Sequence, residues 1–242
     1  MKINIFKTAE EIGAAVAEIF TDTVKANPSC VLGLATGATP VPTYKNIIKT
    51  FNEGGISFKD VKTYNLDEYC NLPKNDKNSY YTFMHEQLFN GLDILEENVH
   101  FLDGNAADPE AECKAYDAEI NAAGGIDVQL LGIGNNAHIG FNEPADTFTE
   151  GSFKVKLTES TINANKIYFD ENPMPEYALT MGIKQIVSAK KVILIATGEK
   201  KAEAVRNMIE GPVTAQVPAS VLQEHDDALI FLDEAAASLL TK

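Results

Sequence analysis

The segment Val192-Ile193-Leu194-Ile195-Ala196 is apolar at every position and stops abruptly at Thr197-Gly198. A strand with one solvated face alternates apolar and polar residues, so a strand without a polar face must be covered on both sides. Val128-Gln129-Leu130-Leu131 is nearly as apolar and stops at Gly132 in the same way. Strand-like runs recur at 2–6, 30–36, 61–66, 126–133, 192–197 and 228–233, and helix-like stretches at 9–26, 41–51, 80–92, 109–122, 200–209 and 234–240 separate or follow them. Buried strands alternating with helices predict an α/β fold, a single doubly wound, mostly parallel sheet with helices on both faces. The 242 residues, 45% hydrophobic, suit one such domain over 1–242. Residues 144–175 break the pattern. They are polar and irregular, with one strand-like patch at 153–157, and a stretch of that length in a compact domain is expected to be a lid or binding loop.

Charge and cysteine usage narrow the partners. A formal net charge of −15 repels nucleic acid, and no basic run overrides it. An anionic small molecule would need a locally positive pocket. No apolar run reaches the ~18–20 residues of a membrane span, and the N-terminus lacks the long apolar core of a signal peptide. The expectation is a cytoplasmic protein with no membrane or nucleic-acid partner. Cys30, Cys70 and Cys113 form no CxxC pair, and His85, His100, His138 and His225 form no HExxH or HxxxH pattern. Neither a disulfide framework nor a metal site is expected.

In open parallel sheets a ligand binds beyond the carboxyl ends of the strands. Four polar clusters fall there. Thr36-Gly37-Ala38-Thr39 offers backbone N–H groups and hydroxyls suited to phosphate; it also reads as a plain turn with Thr39 as helix cap and Pro40 in the first turn. Lys200-Lys201 opens a helix, where cations oppose the helix dipole, so either a bound anion or simple solvation accounts for them. Asp67-Glu68 follows a buried strand, with Asp67 the candidate general base and Glu68 in support; a strand-ending Asp that caps a turn is the alternative. Gly132-Ile133-Gly134-Asn135-Asn136-Ala137 half-matches GxGxxG. It comes late in the chain and no acidic residue ends a strand ~20 residues on, as a dinucleotide site requires. Gly132 and Gly134 are instead expected to let the backbone approach a sugar. His138, five residues before Glu143, is the strongest acid/base candidate, because a carboxylate partner orients and tunes an imidazole. His85, His100 and His225 read as structural.

These clusters, extended to Leu32 on one side and to Asn142-Glu143-Pro144 on the other, resemble the glucosamine-6-phosphate deaminase family. So do Ala178-Leu179-Thr180-Met181-Gly182-Ile183, Gly211-Pro212-Val213-Thr214 and Pro218-Ala219-Ser220-Val221-Leu222-Gln223, in order and at similar spacing. The sister 6-phosphogluconolactonase family continues differently after the His and has no counterpart of Asn65-Leu66-Asp67-Glu68-Tyr69. The resemblance implies a modified Rossmann-like fold and a cofactor-free hydrolase of amino-sugar catabolism, a monomer or homo-oligomer, that turns glucosamine 6-phosphate and water into fructose 6-phosphate and ammonia. It implies that Asp67 shuttles a proton between C2 and C1, and that His138, held by Glu143, opens the sugar ring. Asn136 stands where many members have Asp. Gly37, Ala38, Thr39, Glu68, Gly134 and Lys201 are the implied substrate contacts. Ile167 stands where the family usually supplies an Arg for phosphate, which leaves Lys166 to take its place. A lactonase, or an inactive sugar-phosphate-binding regulator, is the alternative.

Overall fold

The computed structural model describes residues 1–159, 161–162, 169 and 173–241. In chain order the elements are β1 (Lys2–Phe6), α1 (Ala9–Ala26), β2 (Val31–Leu34), α2 (Val41–Glu53), β3 (Lys62–Asn65), β4 (Asp67–Tyr69), α3 (Tyr80–Gln87) and β5 (Val99–His100). There follow α4 (Pro109–Ala122), β6 (Val128–Leu131), β7 (Phe153–Lys156), β8 (Tyr177–Thr180), α5 (Ile183–Val187), β9 (Lys191–Ala196), α6 (Ala202–Glu210) and β10 (Ala228–Asp233).

Seven strands form one sheet in the order β1-β10-β9-β6-β2-β3-β5, and every pairing in it is parallel. The apolar run in β9 shows why. Val192, Leu194 and Ala196 point into a core that also holds Tyr116 of α4 and Val205 of α6. Ile193 and Ile195 point the other way, into a core shared with Phe20 of α1 and Tyr44 of α2. Each successive residue feeds the opposite core, so none can be polar. Ile193 and Leu194 are both fully buried. Substituting either by Ala should cost about 2–5 kcal/mol, read from urea unfolding midpoints. A loss below about 1 kcal/mol at one of them would mean that its side of the sheet is loosely packed.

The doubly wound sheet matches the sequence expectation, but a second sheet does not appear in it. β4, β8 and β7 make a small antiparallel sheet, in which Asp67 pairs with Thr180 and Phe153 pairs with Thr180 from the other side. Asp67-Glu68-Tyr69 reads as a polar loop because two of its three residues are acids, yet all three are buried. A third core cluster, including Tyr69, Phe141 and Leu157, lies beneath this sheet. Other boundaries shift as well. Residues 234–239 form turns instead of a helix. The stretch predicted as one helix over 80–92 ends at Gln87 and continues as a 3-10 turn at Phe89–Gly91. A 3-10 turn at Glu199–Lys201 precedes α6. The predicted lid, 144–175, contributes β7, and the rest of its described residues are mostly irregular. Among the described residues no helix is long and apolar enough to cross a membrane.

Candidate active site

From β2 the chain winds outward through β3 and β5, then returns to place β6 on the other flank of β2. Such a reversal opens a crevice at the strand ends. A cavity of about 460 Å³ lies there, within the usual range for a small-molecule site. Thr36, Gly37 and Thr39 enter it from the loop after β2, and Asp67 from β4. Gly134, Asn136 and His138 come from the loop after β6, and Lys201 from the turn after β9. The structure therefore brings the four clusters together, with two exceptions. Ala38, between Gly37 and Thr39, is exposed and does not line the cavity. Glu68 lines a separate cavity of about 550 Å³. That second space is also lined by Asp103, Glu112 and Glu119, a set that would repel phosphate. Lys166 and Ile167 lie outside the described residues.

One end of the first cavity is built for an anion. Pro40, not Thr39, is the N-cap of α2; no side chain caps this helix, and its first turn carries no acid. The Val41 N–H is held by Ala38 O at 3.3 Å and Pro42 has none, so it is the helix dipole and the backbone of the loop at Gly37 and Thr39 that face a ligand. Gly37 has φ of +100°, which a residue with a side chain adopts only at a cost. Lys201 is only partly exposed, and burial lowers the pKa of its ammonium; an anion beside it would reverse that shift. The turn that carries Lys201 is tied down from below. Both carboxylate oxygens of Asp233 accept the Gly198 N–H, at 2.9 and 3.0 Å, and one also accepts the Ala236 N–H at 2.7 Å.

At the other end stands Asp67, 7% exposed. Burial, and then the charge of Glu68, push its carboxyl from the ordinary 3.8 to about 8. A carboxylate so poorly solvated is a stronger base than one in water.

The imidazole is placed by a tight loop. Gly134 N–H donates to His138 O at 2.9 Å, and Ala137 N–H donates to Gly134 O at 3.0 Å. Ala137 takes φ of +65°, a left-handed conformation uncommon for a residue with a side chain. This turn folds His138 back over Gly134, where an added Cβ would run into the imidazole ring. That contact is a direct reason for glycine at 134.

His138 Nδ1 is 3.4 Å from Glu143 Oε1. The contact is longer than a formed charge-assisted hydrogen bond, and among the described residues Nδ1 has no hydrogen-bond partner. Catalytic hydrogen bonds are often long before substrate is bound and tighten with it. Asn136 Nδ2 donates to Glu143 Oε2 at 2.6 Å, while its Oδ1 accepts the His138 N–H at 3.3 Å. Burial alone would raise the Glu143 carboxyl. The contacts from His138, Asn136 and Thr161 outweigh it and hold the carboxyl down at about 2. Glu143 is therefore a fixed negative charge, suited to orienting an imidazole.

Two contributors are absent from the sequence reading. Thr161, which donates to Glu143 Oε1 at 3.0 Å, also lines the cavity; the polar character of 144–175 marked its segment but not the residue. Tyr80 lines the cavity from the start of α3, and no motif signals it. Among the described residues no group of three or more His, Cys, Asp or Glu could hold a metal ion.

Comparison with known proteins gives the family. Residues 6–231 match the family described as glucosamine-6-phosphate isomerases/6-phosphogluconolactonase. A glucosamine-6-phosphate deaminase of Lysinibacillus sphaericus (strain C3-41) is 50% identical over 232 residues, covering 96% of this chain and 98% of the relative. One of Clostridium botulinum (strain Alaska E43 / Type E3) is 47% identical over 241 residues, covering 99% and 97%. The solved structure of a monomeric glucosamine-6-phosphate deaminase superposes with a TM-score of 0.96 at 43% identity, covering 99% of this chain and all of that one. A 6-phosphogluconolactonase from Trypanosoma brucei gives 0.79 at 19% identity, covering 99% and 98%, a likeness that concerns the fold alone. With the match running through nearly the whole chain, the protein belongs to the family of glucosamine-6-phosphate isomerases and 6-phosphogluconolactonases.

Proposed function

We propose that this protein converts glucosamine 6-phosphate and water to fructose 6-phosphate and ammonia. The observation that carries the reading is a buried Asp67 facing the same cavity as the His138–Glu143–Asn136 group and the two anion-ready loops. Phosphate binds at the loop before α2, against Thr39 and Lys201. That grip sets the sugar across the cavity. His138, oriented by Glu143, moves the proton that opens the pyranose ring. Asp67 then takes the C2 proton and returns it at C1, the aldose–ketose step. The resulting C2 imine adds water and releases ammonia. Proton transfer between adjacent carbons needs one positioned carboxylate, and fixing the phosphate supplies the positioning.

In net terms a carbon–nitrogen bond is cleaved with uptake of water, the sense in which the sequence suggested a hydrolase. The chemical core is isomerisation, the class named in the description of the matched family. Every group in this scheme comes from one chain, and the setting that fits a phosphorylated amino sugar is the cytoplasm.

The test is a paired assay on the purified protein, with ammonia release from glucosamine 6-phosphate measured beside hydrolysis of 6-phosphogluconolactone. Equimolar ammonia and fructose 6-phosphate support the reading. Lactone hydrolysis without ammonia would replace it with the sister activity, and binding without either turnover would make the protein a sugar-phosphate-binding regulator.

Thr161→Val is expected to lower kcat about tenfold, near the low end for losing a hydrogen bond to a charged group. The methyl fills the space of the hydroxyl, so KM should change by less than about threefold. Steady-state kinetics decide this, and an unchanged kcat would remove Thr161 from the support of Glu143.

A further inference from the structure

Period-two alternation along β4 sends Asp67 and Tyr69 to one side and Glu68 to the other. Glu68 is 7% exposed, and its carboxylate is occupied by backbone. Oε1 accepts the N–H groups of Tyr69 (2.8 Å) and Tyr80 (3.0 Å), and Oε2 accepts that of Tyr81 (2.9 Å). Tyr80 and Tyr81 are the first two residues of α3, whose first turn contains no acid of its own. The next N–H, of Thr82, is taken by the N-cap Ser79 hydroxyl at 3.0 Å. First-turn N–H groups have no partner inside a helix; here they are satisfied by an acid from a neighbouring strand. The helix end so fastened carries Tyr80 into the cavity wall. The Tyr80 hydroxyl donates to the Tyr69 hydroxyl at 3.1 Å, and its ring stacks on Phe141 with centroids 6.4 Å apart.

We propose that Glu68 is a positioning residue and not a substrate contact: its carboxylate fastens α3 so that Tyr80 walls the cavity served by Asp67, and it sets a negative charge one residue from that base. The kinetic side of this inference rests on the deaminase reading. Titratable groups around Asp67 are Glu68 and Tyr69 on its own strand, Tyr80 on α3 and Tyr116 on α4, with His138 and Lys201 across the cavity. Thr180 of β8 pairs with Asp67 and does not titrate. Burial raises the phenols of Tyr80 and Tyr116 well above their ordinary range, leaving both neutral. Burial raises the Glu68 carboxyl as well, against the opposing pull of the three N–H groups it accepts; when ionised, Glu68 is the near negative charge that opposes ionisation of Asp67.

Two variants separate the clamp from the charge. Glu68→Gln keeps the length and one acceptor oxygen but loses the charge and, because an amide nitrogen cannot accept, part of the clamp; the charge is read from the acid limb of kcat/KM, which should move about one pH unit lower, as for loss of a neighbouring like charge. Glu68→Asp keeps the charge but is one methylene short of the α3 amides. It should leave that limb in place and lower kcat about tenfold. A Glu68→Gln limb that superimposes on wild type overturns the electrostatic role. A wild-type kcat in Glu68→Asp overturns the clamp. A tenfold rise in KM in both variants, with kcat and the limb unchanged, would make Glu68 a substrate contact after all.

Amide hydrogen exchange on the wild-type protein needs neither a variant that folds nor any turnover. The Tyr80 and Tyr81 amides should exchange as slowly as amides within α3. Fast exchange there overturns the clamp whatever the activity proves to be, whereas slow exchange in a protein that releases no ammonia would fault the deaminase reading alone.

Discussion

Asp67→Asn is expected to lose at least about 100-fold in kcat and yet to melt at a higher temperature than wild type above pH 7. The amide has the shape of the acid but cannot accept the C2 proton, which accounts for the first effect. The second follows from linkage. The folded protein holds the Asp67 proton up to about pH 8, against an ordinary 3.8. A group whose folded pKa is raised contributes stability that is fully present below the unfolded value. That stability is lost as pH rises through the folded value. Between about pH 4 and pH 8 ionisation therefore progressively burdens the wild-type fold, and the Asn variant escapes it. The difference in melting temperature should be largest above pH 8 and vanish near pH 4. A variant that melts lower than wild type at pH 8 would show that the buried charge is not costly. The same property shapes the kinetics. The acid limb of kcat/KM reports the free enzyme and should lie near pH 8. The ammonium on C2 of the bound substrate favours the carboxylate, so the acid limb of kcat should lie lower.

His138→Gln should cut turnover of the ring-closed sugar by about 10²–10⁴-fold, the range for a lost general acid–base group. It should cost an open-chain analogue far less. The separation is expected because the loop around Ala137 places the imidazole by backbone hydrogen bonds that do not involve its ring. Gln can occupy that position without disturbing Asp67 or the phosphate loops. Comparing kcat/KM on the two substrates checks the assignment, and equal losses on both would make His138 a positioning group instead of the ring-opening one.

Much of this site was legible because its parts follow buried strands. Runs such as the one in β9 announce a parallel sheet, and the strand ends then mark Thr39, His138 and Lys201 as candidates, which only their occurrence together and the family resemblance raised above a helix cap or a solvated lysine. Legibility ended where long-range pairing decides conformation. Asp67-Glu68-Tyr69 has the composition of a loop, and it is a strand because β8, more than a hundred residues away, pairs with it. The role of Glu68 was hidden for the same reason: its partners are amides of α3, and backbone amides leave no trace in a sequence. The alternation of a three-residue strand could have separated Glu68 from Asp67, had the strand been visible. Thr39 was read as a possible helix cap, but the cap falls one residue later at Pro40, which leaves its hydroxyl outside the helix.

The division of the molecule into two sheets runs through the proposed site. On that reading the phosphate grip lies at the edge of the large parallel sheet, while Asp67 belongs to the small antiparallel one. Leu66 joins them, its N–H held by Leu34 O at 3.0 Å and its carbonyl by the Met181 N–H at 2.8 Å. β3 and β4, one in each sheet, thus have a single residue between them along the chain. On the proposed reading the base is mounted apart from both the phosphate grip and the imidazole, so the small sheet can be altered while the large one keeps those two groups in place.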